Sequence, residues 1–244
     1  MIADVSNLPD EHAVALVLNG STVAVLMATP QHYEDFLRGF CLTEGIISQP
    51  DEVRDIEVVR HVVGTEVRGR IDVEREMEIN ARRRASVGPV GCGLCGIESL
   101  QSAAGFSGKL VRRTTELGRH ARKALDELHG EQVLRKAARA LHAAGLFDAQ
   151  GLIAMREDVG RHNALDKLVG ALDVKARENI GILLTSRISI DLVQKCARVD
   201  LPAIFSVSRP TRGAAELAQR CGMTLCLITP DNLVYYSKPE LRTS

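Results

Sequence analysis

Between Ile180 and Ile228, apolar runs alternate with amphipathic runs across short breaks, and no other stretch limits the possible folds of this chain so tightly. Ile180 to Leu184 reads as a strand, Ile190 to Val199 as a helix, Ala203 to Val207 as a strand, Ala214 to Cys221 as a helix and Met223 to Ile228 as a strand. Such a βαβαβ order specifies a parallel sheet, because a parallel pair needs a long crossover and a helix supplies it. Ligands of these sheets gather at the carboxyl ends of the strands, where helix N-termini also point their positive ends. Here those ends read Thr185-Ser-Arg-Ile-Ser189 and Ser206-Val-Ser-Arg-Pro-Thr211. Hydroxyls and arginines at two successive strand ends predict a phosphate cradle built from Arg187, Ser189, Ser208, Arg209 and Thr211.

The first third has a different texture. Two β-rich runs flank Asn19-Gly20, a dipeptide that supplies positive φ for a tight turn, and predict a hairpin between Ala13 and Met27. Thr29-Pro30 offers an N-cap followed by proline at the first helical position, so a helix is expected from Pro30 to about Glu44, stopped by Gly45. Alternation from Val53 to Asn80 predicts a small antiparallel sheet. Leu125, Val133, Leu134, Ala137 and Leu141 mark a helical stretch around Gly130, and HAAGLF and LIAMRE flank Asp148 to Gly151 as a further hairpin.

Length and composition exclude several classes. At 244 residues, with 45% hydrophobic side chains, the chain can bury one large core or two small ones. Thirty-one basic residues balance thirty-one acidic ones, so no global field recruits nucleic acid or an anionic membrane. No run approaches the roughly 18 apolar residues of a membrane span, and the first residues lack a basic start followed by an apolar stretch. Six cysteines with a single C-x-x-C pair fit a reducing compartment, and a cytoplasmic location is expected.

Two islands carry the chemistry. The first, Gly91 to Gly96, reads GCGLCG and sets Cys92 and Cys95 three positions apart between glycines, in the aperiodic stretch that starts at Arg82. A C-x-x-C pair serves dithiol redox, half of a zinc site, or carriage of sulfur as a persulfide, and all three need thiolate. A helix opening just after Cys95 and the arginines at 82 to 84 would favour that ionised form. Cys41, Cys196, Cys221 and Cys226 fall instead in apolar periodic segments and read as structural. His32-Tyr-Glu34 ahead of the pair imitates the H-x-E then C-x-x-C order of zinc deaminases, imperfectly, since proline stands at 89 and not directly before Cys92.

The second island, Glu157 to Lys167, reads EDVGRHNALDK. Leu165, Leu168, Val169 and Leu172 share one helical face and predict core, leaving Asn163, Asp166 and Lys167 on a polar face. A solvated face with pairs three or four apart is the plain explanation. The crowding of Glu157, Asp158, Arg161 and His162 where a strand feeds a helix argues for a functional turn.

With this order and spacing the islands resemble those of the FdhD/NarQ family, the formate dehydrogenase accessory proteins. EDVGRHNALDK is the specific part, GCGLCG matches the family's CGxCG, and likeness extends over about residues 8–238. The resemblance implies an α/β, cytidine-deaminase-like three-layer domain with a mixed sheet over 85–244, carrying the C-x-x-C loop, and a small β-rich N-terminal subdomain with one helix over 1–84. It implies a sulfurtransferase: Cys92 would accept persulfide sulfur from a cysteine desulfurase, Cys95 would assist, and the sulfur would pass to molybdenum bis(molybdopterin guanine dinucleotide), bound as substrate, for formate dehydrogenase. It adds Ile228, Thr229, Pro230, Asp231 and Asn232 to the cofactor-binding residues. A homodimer is expected, no resident metal, and neither nucleic acid nor a membrane as partner. A cofactor-binding chaperone without sulfur chemistry and a zinc-dependent deaminase are the alternatives.

The departures from the family pattern fall on the cofactor side. AARALHAAG stands where TGG usually precedes the histidine matching His142, Thr185-Ser-Arg-Ile-Ser189 lacks a glycine, and Ser208-Arg-Pro-Thr211 carries an arginine in place of SAPT. Leu227-Ile228 replaces an aromatic glycine-phenylalanine pair. A different molybdenum or tungsten enzyme as client, or weaker cofactor binding, would follow.

Overall fold

The computed structural model describes residues 8–75, 108, 110, 117–132, 140–174 and 177–239. Cys92, Cys95 and the expected boundary after residue 84 lie outside the described residues.

Strands β1 (His12–Leu18) and β2 (Ser21–Ala28) form the expected hairpin, with Asn19 and Gly20 both at positive φ. Asn19 also ties the sheet to the chain beyond it, since its side chain donates to and accepts from the Ile71 backbone at 3.0 Å each. Strands β3 (Arg54–His61) and β4 (Gly64–Arg70) pair antiparallel as expected, but β4 then runs parallel to β1, giving the order β2-β1-β4-β3. This sheet is therefore mixed. The helix α1 (Tyr33–Thr43) is the crossover, and Val14, Leu16, Leu18 and Val67 bury one face of the sheet against it.

Helix α1 starts later than expected. Thr29 is not its N-cap, because its hydroxyl accepts from Val159 N at 3.1 Å, 130 residues away. His32 precedes the helix instead, in the left-handed region.

The six-stranded sheet has the order β10-β9-β8-β7-β5-β6. β5 (His142–Phe147) and β6 (Leu152–Asp158) form the expected hairpin. β7 (Gly181–Leu184), β8 (Ala203–Ser206) and β9 (Thr224–Ile228) are parallel, as the alternation predicts, and β10 (Leu233–Ser237) closes one edge antiparallel to β9. Their side chains alternate between two cores. Ile182, Leu184, Ile204 and Leu225 face α3 (Arg161–Ala171), α4 (Ile190–Arg198) and α5 (Arg212–Cys221), in one core shared with the first sheet. Leu183, Phe205, Cys226 and Ile228 face α2 (Gly118–Glu131) on the other side. The architecture is α/β, with helices on both faces of a mixed sheet. The expected continuation of α2 through Val133, Leu134 and Ala137 lies outside the described residues, and Leu141 leads into β5 as a buried residue.

The two sheets are joined where α1 crosses α3. A side chain at Gly39 would collide with the Asp166 carbonyl, and one at Gly170 with the Asp35 carbonyl, so the two backbones touch and only glycine fits.

Candidate functional site

The second island holds this crossing in place. Lys167, fully buried, donates to Asp158 Oδ2 at 2.5 Å and to the Thr29 carbonyl at 2.8 Å, and lies over the Phe36 ring. Asp158, equally buried, accepts from Thr29 N and Lys167 on one oxygen and from Gly160 N and Asn163 Nδ2 on the other. Asn163 also donates to the Met27 carbonyl. A carboxylate taking four donors and an ammonium facing it make a closed network across the two sheets. Burial pushes the pKa of Lys167 down, against the pull of Asp158.

Asp166 makes a second tie. It bonds Lys195 with both oxygens at 3.0 Å and accepts from the Thr43 hydroxyl at 2.6 Å, while Lys195 also pairs with Glu44 at 2.7 Å. Burial raises the pKa of Asp166. For Lys195 burial acts downward, but Asp166 and Glu44 outweigh it and hold the ammonium charged. The expected polar face of α3 is thus buried and structural. Asn163, Lys167 and Gly170 fall at i, i+4 and i+7, and that stripe ending in glycine was the legible sign of a packed neighbour.

Arg161 and His162 differ from the rest of the island. Arg161 Nε and His162 Nε2 are buried atoms without a hydrogen-bond partner among the described residues, and so is the hydroxyl oxygen of Ser189. Topology brings all three to one sheet edge. β6 through β9, leaving aside β5, end there, and the antiparallel β5 begins there with His142, whose Cα pairs with that of Asp158. Burial, and then the charge of Arg161, lowers the pKa of both His142 and His162. His162 also borders a cleft of about 420 Å³ together with Phe40, Glu44, Asp191, Lys195 and Arg198.

The strand-end residues expected to bind cofactor share this edge. Ser189 occupies the N-cap position of α4 without capping it. Thr211 does cap α5, accepting from Ala214 N, so its hydroxyl is engaged within the fold. The loops after β7 and β8 are stitched together: Ser206 Oγ donates to the Ser186 carbonyl at 2.8 Å, and Thr211 N donates to the Ile188 carbonyl at 2.9 Å. Arg187 and Arg209 are exposed and Ser208 is half-buried. Ile228 ends β9 inside the α2-facing core. Thr229 to Asn232 turn the chain back into β10, with the Thr229 hydroxyl accepting from Asn232 N at 3.0 Å and Pro230 and Asp231 exposed. Arg122 of α2 holds this turn through the Pro230 carbonyl at 2.7 Å, a role that the sequence pattern did not reveal.

The four described cysteines are unsuited to thiol chemistry. All are buried, and burial pushes Cys41 up to about 12, Cys226 up to about 11 and Cys196 upward as well. His32 lies near Asp35 at 3.8 Å and Glu34 pairs with Arg38, so both polar residues of the H-x-E pattern have neighbours on their own helix.

Comparison with known proteins agrees with the two islands. A family model described as the FdhD/NarQ family matches residues 9–242. Sulfur carrier protein FdhD of Agrobacterium fabrum is 44% identical over 223 residues, which cover 89% of this chain and 82% of that protein. The protein of the same name from Bordetella bronchiseptica is 38% identical over 241 residues, covering 96% of this chain and 86% of that one. A crystal structure described as a formate dehydrogenase accessory protein, from Desulfotalea psychrophila, superposes with a TM-score of 0.69 at 26% identity, over 95% of this chain and 89% of that chain. A match from end to end, with relatives at this level of identity, places the chain in the FdhD/NarQ family.

Proposed function

We propose that this chain is a sulfur carrier that matures formate dehydrogenase or a related molybdenum or tungsten enzyme. The observation that carries the reading is the intact GCGLCG motif in a chain whose relatives are named for sulfur carriage. The burial of the four described thiols supports it, since it leaves Cys92 and Cys95 as the pair to do the chemistry.

In the first step Cys92 thiolate attacks the outer sulfur of a desulfurase persulfide and the desulfurase thiolate leaves, with no net change of oxidation state. In the second, Cys95 attacks the inner sulfur of the Cys92 persulfide. The outer sulfur then departs as sulfide toward the metal of the bis(molybdopterin guanine dinucleotide) substrate. Forming the Cys92–Cys95 disulfide supplies the two electrons that take the outer sulfur to sulfide, and a cellular dithiol then reduces the pair back to thiols. The edge formed by the loops after β7, β8 and β9 is the proposed seat of that substrate, with Arg187, Ser189 and Ser208 facing its phosphates and Thr229 to Asn232 its nucleoside end. The cytidine-deaminase-like ancestry of the main domain, its boundary near residue 84, a cytoplasmic location and a homodimer that offers one seat to each nucleotide arm belong to the same proposal.

Intact-protein mass spectrometry after incubation with a cysteine desulfurase and cysteine tests it. Wild type should gain about 32 Da, the mass of one sulfur atom on a cysteine persulfide, and Cys92→Ala should not. A Cys92→Ala protein that still activates the client enzyme in cells would refute sulfur carriage and leave a cofactor chaperone.

A further inference from the structure

Helix α2 carries its charges in an order that works against its own stability. Its first turn holds no acid, and its first six residues include Arg119, His120, Arg122 and Lys123, whereas Asp126, Glu127 and Glu131 stand in its second half. The positive end of a helix dipole favours acids and the negative end favours bases, the opposite of this arrangement. The ion pair of Lys123 with Glu127, at 3.5 Å, also sets the base before the acid, the weaker orientation at this spacing. A local preference set aside this consistently marks a surface kept for something other than the fold. Packing joins these cations to a second element. A side chain at Gly118 would collide with the Tyr235 hydroxyl, so β10 lies against the first residue of α2, and Lys238 sits over the Tyr235 ring with Nζ 4.8 Å from its centre. Arg119, Lys123, Tyr235 and Lys238 are exposed and Arg122 is half-buried. Arg122 donates to the Pro230 carbonyl at 2.7 Å, and among the described residues no carboxylate pairs with it or with Lys238. Lys123 donates to the Gln150 carbonyl at 2.6 Å, in the turn beside the start of β7, so the patch extends along α2 toward the end of the sheet opposite the proposed substrate seat.

We propose that this patch, Arg119, Arg122 and Lys123 with Tyr235 and Lys238, docks a short acidic segment of a partner protein. Six helical residues span about 9 Å, a distance that two or three residues of an extended chain cover. Asp126 and Glu127 close the patch along α2, and Asp148 and Asp231 stand in the turns that Lys123 and Arg122 touch. A long polyanion or an anionic membrane would meet those carboxylates, whereas two or three side-chain carboxylates fit between them. Tyrosine and arginine are also the residues on which the energy of protein contacts concentrates. Nothing in this surface depends on sulfur carriage.

Fluorescence anisotropy of a labelled hexaglutamate peptide titrated with the full chain at about 50 mM salt tests the surface. Wild type should bind, and should bind several-fold more weakly at about 200 mM salt. The double substitution Arg119→Glu, Lys123→Glu should weaken binding about tenfold or more, and Lys238→Glu should cost a few-fold. Arg209→Ser, at the proposed substrate seat, should leave peptide binding unchanged. No binding by wild type, equal binding by the double variant, or a loss in Arg209→Ser as large as that in the double variant would overturn the docking surface. Tighter binding of a single-stranded hexanucleotide or of phosphatidylglycerol vesicles than of the peptide, lost in the same variants, would overturn the assignment to a protein. Thermal melts should show the double variant folded, since both changes place acids near a helix start. Should it not fold, Lys238→Glu decides by the same readout.

Discussion

Replacing Lys167 with methionine should be among the most damaging single changes in the described part of the chain. The side chain keeps its length and apolar stem but loses the ammonium that faces Asp158 and the Thr29 carbonyl, and all of this happens out of contact with water. Asp158 would remain buried, still accepting from Thr29 N, Gly160 N and Asn163, with no cation opposite. Removing one partner of a buried pair costs about 3–5 kcal/mol, and for a chain of this size each kcal/mol lowers Tm by about 2–4 °C, so a fall of roughly 6–20 °C is expected. Asp158→Asn should cost a similar amount, because an amide nitrogen would meet donors on whichever side it takes. The double variant should fall short of the sum by more than about 0.5 kcal/mol, the mark of direct coupling. Urea unfolding of wild type, both single variants and the double, with the slope checked for constancy, gives all four values. A loss below about 1 kcal/mol in Lys167→Met, or simple additivity in the double, would refute the account of this pair as a clamp.

Glycine substitutions should split by sign. Gly170→Ala forces α1 and α3 apart and should destabilise by about 1–3 kcal/mol or more, whereas Gly130→Ala, on α2 with open space around it, should stabilise by about 0.5–1 kcal/mol; thermal melts check both. The histidines set an acid limit. With the pKa of His142 and His162 lowered from 6.5 in the folded chain, the unfolded chain binds more protons below that pH, so stability should fall as pH drops from about 6.5 through the folded values. His162→Gln should flatten part of that slope in melts recorded between about pH 7.5 and 5. An unchanged slope would mean that the opposing pull of Asp191 and Glu44 on His162 cancels the effects of burial, Arg161 and Lys195.

The parts legible in the sequence were those set by local pattern. Asn19-Gly20, the Asp148 to Gly151 turn and each element of the βαβαβ alternation declare themselves within about ten residues, and each appears in the fold with ends shifted by a residue or two. Partners distant in sequence were hidden. Thr29-Pro30 has the composition of a helix start, yet the Thr29 hydroxyl, N–H and carbonyl are all engaged by residues 158 to 167, and α1 begins after His32 instead. The parallel pairing of β1 with β4 was invisible for the same reason, since alternation gives a strand's faces and not its neighbour. At the site, the strand-end hydroxyls could be found by topology, but whether a hydroxyl is spent on a cap, as at Thr211, or left over, as at Ser189, depends on a fraction of an ångström. The island's division into a structural half and an unpaired half was likewise beyond pattern. Arg161 and Lys167 are both cations on one helix, and only the fold supplies one of them with a buried carboxylate.

The clamp between Thr29 and Lys167 spans 138 residues, and that separation bears on how the protein is made. A ribosome adding about 5–20 residues each second completes the first sheet and α1, which end by Arg70, roughly 5–19 s before the lysine that fastens them. During that interval Phe36, whose ring lies beneath Lys167 in the finished fold, has no α3 to cover it. The nascent chain therefore passes through a long stage in which its N-terminal sheet is formed but sticky, so its yield should depend on synthesis rate and on chaperones that shield α1 more than on the stability of the finished fold.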